Sequence, residues 1–337
     1  MGESKRWLIS PDALNDWLDN IANERTLIAP RQVGGVLVYR QVAKSDEIAQ
    51  EPGRPVLSVK EAFFPPTEQL FTIEKTGQQI SLSEHLPEAN AVVYGVAPCE
   101  ARGVRLLDAL FLDTPPADPY YARRRQNTIL IGLACQEMGP TCFCTSVGGA
   151  PDEAGDMDIM LHANDGAYLV EAITEKGRFL IPAGEWEKTT TEPKAPVVNP
   201  QFLIPDPQSI AWEEHFEDAY WQKMAERCLS CRACAYVCPT CRCFTMRDEV
   251  IGLDQFERIR CWESCASENY RRVAGGKRAR PEKGERLRNR FFCKFLYYPE
   301  QTGLGKTNAC TGCGRCIDVC PVGLDITEVL RDLGRPA

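Results

Sequence analysis

Apolar residues first recur at helical spacing: Leu14, Trp17, Leu18 and Ile21 fall at i, i+3, i+4 and i+7 behind Ser10 and Pro11, a cap and a first-turn proline. This predicts an amphipathic helix starting at Pro11. Residues 35–42 (GVLVYRQV) then read as a strand. Two uninterrupted apolar runs follow, 91–97 (AVVYGVA) and 128–134 (TILIGLA), each short enough to be a strand buried on both faces. Between them, 103–112 places Val104, Leu107, Leu110 and Phe111 on one helical face. Strand, helix and strand in this order form a βαβ unit, whose crossover makes the two strands parallel. Further on, the short apolar runs 158–161, 168–173 and 178–181 alternate with turn residues and read as antiparallel strands.

Pro193, Pro196, Pro200, Pro205 and Pro207 leave little room for regular structure between 189 and 208. A helix is expected from Ser209 to about Arg227. With 337 residues the prior is about two domains. We place the boundary near 205, with a mixed α/β domain at 1–205 and a second domain at 206–337.

The second domain holds two copies of C-x-x-C-x-x-C-x-x-x-C-P: Cys228, Cys231, Cys234 and Cys238 before Pro239, and Cys310, Cys313, Cys316 and Cys320 before Pro321. Three thiolates on one tight loop can each reach a different iron of a cubane, and the fourth lies too far along to complete it, so it ligates the other one. Cys228, Cys231, Cys234 and Cys320 are thereby assigned to cluster 1, and Cys310, Cys313, Cys316 and Cys238 to cluster 2. The fold class expected is α+β or α/β: the N-terminal domain followed by a bacterial-type 2[4Fe-4S] ferredoxin domain with a long insertion at 244–305. Structural zinc would favour well-separated C-x-x-C pairs or nearby histidines, and His85, His162 and His215 lie near neither run.

Nine other cysteines change the picture further. Cys99 and Cys135 follow the two parallel strands, at the carboxyl edge where open α/β sheets build their sites. Cys142 and Cys144 lie in the next loop, GLACQEMGPTCFCTSVGG. Four cysteines meeting at one sheet edge suggest a third iron–sulfur cluster; buried thiols packing as small hydrophobes are the alternative. Cys241, Cys243, Cys261, Cys265 and Cys293 fall in or beside the insertion with a spacing that matches no standard template. Cys241, Cys243 and Cys265 are the candidates there for an additional metal site; shielding of the clusters is the alternative.

Seventeen cysteines without an export signal at the N-terminus point to a reducing compartment, the cytoplasm, and to metal ligation rather than a disulfide scaffold. The longest apolar stretches run to about eight residues against about 20 for a membrane span. The net charge of −8 conceals a division: residues 221–337 carry 21 Lys and Arg against 14 Asp and Glu. Cations near anionic clusters would stabilise them and raise their potentials. A docking face is another use for the run Arg271, Arg272, Lys277, Arg278, Arg280, Lys283, Arg286, Arg288 and Arg290, and an ordinary solvated face is the plain alternative. Nucleic acid is set aside, because the pI is about 5.2 and no aromatics interleave the run.

The segments YGVAPCEARGVRLLD, DPYYARRRQNTILIGLAC, TCFCTSVGG, ERCLSCRACAYVCPTCRCF, CWESC and CTGCGRCIDVCPVGLDI resemble the family that holds the A-type subunit of anaerobic sulfite reductase together with the β-subunit of sulfhydrogenases, from about residue 55 to 330. The resemblance implies an electron relay beside a flavoprotein that binds FAD and NAD(P)H, feeding a hydrogenase, sulfite reductase or heterodisulfide-reductase-like catalytic subunit. Cys99, Cys135, Cys142, Cys144, Cys241, Cys243 and Cys265 sit at family-like positions; Cys261 and Cys293 depart from the pattern, Cys293 standing where histidine is commoner. No G-x-G-x-x-G follows a strand, and Gly305-Lys306-Thr307 lacks the earlier glycine of a phosphate loop, so no nucleotide site is read in the chain itself. A relay without a catalytic residue of its own is the function expected; substrate reduction at an N-terminal iron–sulfur site is the alternative.

Overall fold

The structure is a computed structural model that describes residues 6–49, 53–198, 204–303 and 307–335. Gly305 and Lys306 lie outside the described residues. The strands are β1 (Arg6–Ile9), β2 (Thr26–Val33), β3 (Val36–Val42), β4 (Thr67–Thr76), β5 (Gln79–Glu84), β6 (Ala91–Val96), β7 (Thr128–Leu133), β8 (Ile159–Asn164), β9 (Ala167–Ala172), β10 (Glu187–Lys188), β11 (Phe244–Gly252) and β12 (Gln255–Trp262). The helices are α1 (Pro11–Glu24), α2 (Pro98–Phe111), α3 (Pro119–Gln126), α4 (Glu175–Arg178), α5 (Tyr220–Arg227), α6 (Ala233–Tyr236), α7 (Lys283–Phe292), α8 (Tyr298–Thr302), α9 (Arg315–Asp318) and α10 (Ile326–Leu333).

Eight strands form one sheet in the order β10-β1-β9-β8-β7-β6-β2-β3. Its centre, β2, β6, β7 and β8, is parallel and its flanks are antiparallel. Both faces are covered, as central parallel strands require. Val92, Tyr94, Ile129, Ile131, Ile159 and Leu161 pack with Leu14, Trp17, Leu18 and Ile21 of α1. The alternate residues Val93, Leu130 and Met160 pack with Val104, Leu107 and Phe111 of α2 and with Tyr121 of α3. Ser10 caps α1, its hydroxyl accepting from Ala13 N at 3.2 Å. The βαβ unit lies where the apolar runs put it, with α2 starting at Pro98 rather than 103, so that Cys99 stands in its first turn.

Two predicted elements differ from expectation, and four strands were not foreseen. The segment 178–181 is no strand: Thr174 caps the helical turn α4, and Gly177 lies so close to Asp158 O that a Cβ would approach it to 2.1 Å. The helix expected from Ser209 to Arg227 forms only at its end, as α5. Before it, Trp212 Nε1 donates to Pro207 O and Trp221 Nε1 to His215 O, and burial of these indoles holds the chain in short turns, Pro207–Ser209 and Trp212–His215. Strands β1, β2, β4 and β5 escaped the hydrophobic pattern; β5 is exposed throughout, so it has no apolar face to read.

Residues 244–292 hold a hairpin, β11 and β12, and then helix α7. β12 pairs with β4, giving a second sheet in the order β11-β12-β4-β5 that joins residues on both sides of position 205. Beneath it, Arg260 is buried in ion pairs with Glu68 and Asp118. Helix α7 continues through a π-helical turn, Cys293–Tyr297, into α8. Its apolar side packs Leu287, Phe291 and Phe292 against Trp212 and Trp221.

Candidate metal centre

The two cysteine loops have the same backbone. Ser230 and Arg232 take φ of 55° and 68°, and Gly312 and Gly314 take 65° and 72°, two and four residues after the first cysteine of each run. These left-handed turns curl three cysteines onto one loop, followed in each case by a single helical turn, α6 or α9. The Ser230 N–H donates to Cys228 Sγ at 3.3 Å.

The fourth cysteine of the first run lies at the second loop. Cys238 lies with Cys310, Cys313 and Cys316 around one small cavity, lined also by Phe143 and Lys294. Thr240 holds Cys238 there: its hydroxyl donates to Ala309 O at 2.7 Å, immediately before Cys310, and lies 3.3 Å from Cys238 Sγ. Cys320 lies in a turn that is held from the start of the other loop. Its Sγ accepts from Leu324 N at 3.2 Å, and Arg227, the residue before Cys228, binds that turn through Gly323 O at 3.2 Å and Glu328 at 2.8 Å.

At the carboxyl end of β6 and β7, Cys99, Cys135, Cys142 and Cys144 meet, each within electrostatic range of at least one other. Burial, then the neighbouring thiols, pushes Cys135 up to about 11 and Cys144 up to about 12. A thiol so placed keeps its proton at neutral pH unless a metal displaces it. This set rests directly on the second ferredoxin loop. The Phe143 N–H donates to Gly312 O at 2.8 Å, and a Cβ on Gly312 or Gly314 would stand 2.5 Å from Cys144 N or 2.3 Å from Thr141 O.

Buried cations occupy the space between the thiols. Arg315 is 3% exposed, pairs with the fully buried Glu100 and donates to Pro55 O at 2.9 Å. Burial opposes its charge, but Glu100, Cys313 and Cys99 hold its pKa above the guanidinium norm. Arg290 is placed likewise among Cys234, Cys316, Cys241 and Cys238. Lys294, one helical turn on, donates to Cys238 Sγ at 3.1 Å and Thr240 Oγ1 at 2.9 Å. Arg54 donates to Cys142 Sγ at 3.2 Å. Arg290 Nε and Arg315 Nη2 are buried without a hydrogen-bond acceptor, which suits them to the anionic sulfur of a cluster.

This corrects part of the expected docking face. Arg271, Arg272, Lys277 and Arg278 are exposed, but Arg286 and Arg290 are buried. On α7 these two face inward at helical spacing, Arg286 to the carbonyls of Arg280 and Pro281 and Arg290 to the thiols. Arg54, Glu100, Lys294, Arg315 and the buried Lys60, whose Nζ donates to Cys241 O at 3.0 Å, were missed as site residues. Lys294, four after Arg290, was the one a helical reading could have found. Of the cysteines in and beside residues 244–305, Cys243 neighbours Cys265, Cys241 instead neighbours Cys238, and Cys261 lies on β12 with Arg247 Nη2 3.6 Å from its sulfur. Among the described residues no three His, Cys, Asp or Glu side chains close on a point that a single ion would occupy.

The family model described as a 4Fe-4S dicluster domain matches residues 227–324, which hold both loops. Over 311 residues the chain is 32% identical to sulfhydrogenase 2 subunit beta of Pyrococcus furiosus, covering 88% of each protein. The chain belongs to the sulfhydrogenase β-subunit family. As a member with a dicluster domain it is an iron–sulfur, electron-transfer protein. No solved structure matches it. Among the described residues no helix is long and apolar enough to cross a membrane.

Proposed function

We propose that this sulfhydrogenase β-type chain is the cytoplasmic relay of a hydrogenase-type complex, joining a flavoprotein subunit that binds FAD and NAD(P)H to a catalytic subunit. The catalytic partner expected is a hydrogenase, a sulfite reductase or a heterodisulfide-reductase-like subunit. Cys228, Cys231, Cys234 and Cys320 would hold one [4Fe-4S] cluster, Cys310, Cys313, Cys316 and Cys238 a second, and Cys99, Cys135, Cys142 and Cys144 a third. When bound, these groups supply one-electron carriers whose potentials depend on charge, hydrogen bonding and exposure.

The observation that carries the reading is the contact of the 141–144 loop with Gly312 and Gly314. It sets the third group of thiols against the second, while Cys231 and Leu229 of the first loop are exposed. Three groups of thiols thus run from an open loop to the edge of the large sheet. Around this line, Arg290, Lys294 and Arg315 neutralise thiolate charge and buried aromatics exclude water. Thr240 and Arg227 hold the two loops in register.

Anaerobically purified protein, mixed with NAD(P)H and the flavoprotein partner, is expected to bleach in the visible region and to develop EPR signals of reduced clusters, without turning over small substrates alone. Bleaching absent despite a full iron complement would overturn the relay. Substrate turnover by the isolated chain, abolished by Cys142→Ser, would instead establish a reductase site at the sheet edge.

A further inference from the structure

Of the 17 cysteines only Cys231, on the first ferredoxin loop, is exposed, and a later segment of the chain is tied to that loop at both of its ends. Before the segment, Glu263 pairs with Arg232 at 3.4 Å, and the same carboxylate accepts from Ser264 N at 2.9 Å. After it, Lys283 Nζ donates to Cys228 O at 3.0 Å. The chain between 263 and 283 is therefore fastened on either side of Cys231. What it holds out is an arm, residues 271–279, exposed throughout. A turn closes the arm: Val273 N donates to Lys277 O at 3.1 Å and Gly276 N to Val273 O at 3.0 Å, with Gly275 and Gly276 at φ of 87° and 80°.

The charge of the arm has almost one sign. Residues 268–280 carry Arg271, Arg272, Lys277, Arg278 and Arg280 against Glu268, a balance of +4 that leaves −12 on the rest of the chain. Arg278 pairs with Glu268, and the Arg271 guanidinium lies over the Tyr270 ring at 5.7 Å. Among the described residues no carboxylate pairs with Arg271, Arg272 or Lys277. An ordinary solvated face intersperses both signs. Cations gathered on one arm repel each other, and an acidic surface laid against them relieves that repulsion. Val273, 58% exposed in the turn, offers an apolar contact among these charges.

We propose that this arm is the docking surface for an acidic electron-transfer protein, one whose Asp and Glu residues surround its own redox group, and that it seats that group over Cys231. The inference rests on the relay reading and takes the flavoprotein subunit as the occupant. The negative charge elsewhere on the chain turns such a partner away from the other faces, so that diffusional encounters are steered to the open loop.

The test is stopped-flow reduction of anaerobic full-length holoprotein by the reduced flavoprotein subunit, with binding of the two proteins followed by sedimentation. Both are read at about 0.01 M and about 1 M salt, where the screening length is about 30 Å and about 3 Å. The variants are Arg272→Glu/Lys277→Glu, the charge-conserving Arg272→Lys/Lys277→Arg, and Lys75→Glu, an exposed cation at the far end of β12 where Lys75 N donates to Asp254 O at 2.8 Å. Iron content and reduction by dithionite are expected to be the same in all, which a merely structural role for the arm would not give. The charge reversal is expected to slow reduction by the flavoprotein and weaken binding about 10- to 100-fold at low salt, with the difference gone at high salt. The other two variants are expected to stay within about threefold of wild type. The docking surface is overturned by absence of binding in wild type, by rates and affinities that the reversal leaves unaltered, by equal slowing in Lys75→Glu, or by binding to phosphatidylserine vesicles that the reversal abolishes while flavoprotein binding persists. Wild type that binds the flavoprotein through the arm yet accepts no electrons from it would overturn the relay and leave the surface. Reduction that is insensitive to salt and to the reversal would remove the surface and leave the relay.

Discussion

The loop of Cys228, Cys231 and Cys234 and the loop of Cys310, Cys313 and Cys316 turn to positive φ at the same two places, yet one uses Ser230 and Arg232 and the other Gly312 and Gly314. A left-handed residue with a Cβ costs roughly 1–2 kcal/mol, and the first loop tolerates two. The second could meet that cost as well; what it cannot accommodate is the Cβ itself, because the 141–144 loop lies against it. Exposure divides the loops in the same way. Cys231 is open to solvent and Leu229 is 65% exposed, whereas Cys310 and Cys313 are each 8% exposed. The comparison teaches that a duplicated cysteine pattern can sit in opposite surroundings: one copy faces outward, the other is walled in by the 141–144 loop.

The largest expected effect comes from filling the glycines. Gly314→Ala or Gly312→Ala combines left-handed strain with overpacking and should destabilise by about 3–5 kcal/mol, with loss of iron. Ser230→Gly should change stability by less than about 1 kcal/mol, relief of strain being offset by chain entropy. Denaturant unfolding under anaerobic conditions compares the two; similar costs would break the distinction.

Ion pairs offer the next comparison. Arg315→Met strands the fully buried Glu100 and should cost about 3–5 kcal/mol. Arg232 is paired to Glu263 at 3.4 Å on the open loop, and Arg232→Met should cost no more than about 1 kcal/mol. The same unfolding measurement reads both.

Lys294→Met removes a buried cation from Cys238 without altering a thiol. The expected outcome is full iron content with one midpoint potential moved to more negative values, followed by an EPR-monitored redox titration. Equal displacement of every centre would mean that the cation acts on the molecule as a whole rather than on the interior loop.

Leu229→Glu should have the smallest effect on folding, within about 0.5 kcal/mol, since the side chain is largely in solvent. If the open loop is where a partner docks, stopped-flow reduction by the flavoprotein should nevertheless slow. An unchanged rate would move the port elsewhere.

Much of this arrangement was legible in the chain. The apolar runs 91–97 and 128–134 have no polar face, so only a strand covered on both sides can hold them, and Cys99 and Cys135 were bound to emerge together. The helical reading of 209–227 failed because buried indoles of Trp212 and Trp221 take backbone carbonyls as acceptors, a demand no periodicity reveals. Arg290 was read as surface because a run of basic residues looks solvated until helix α7 turns every fourth one inward.

Local chemistry therefore settled the cysteine loops, the βαβ unit and the cap of α1, since spacing, dihedral preference and hydrophobic period act within a few residues. Tertiary structure alone decided that β12 would join β4, that Arg315 would meet Glu100, and that Phe143 would lie on Gly312. Those contacts depend on burying charge and sulfur between segments tens to hundreds of residues apart, and nothing within either segment records its partner.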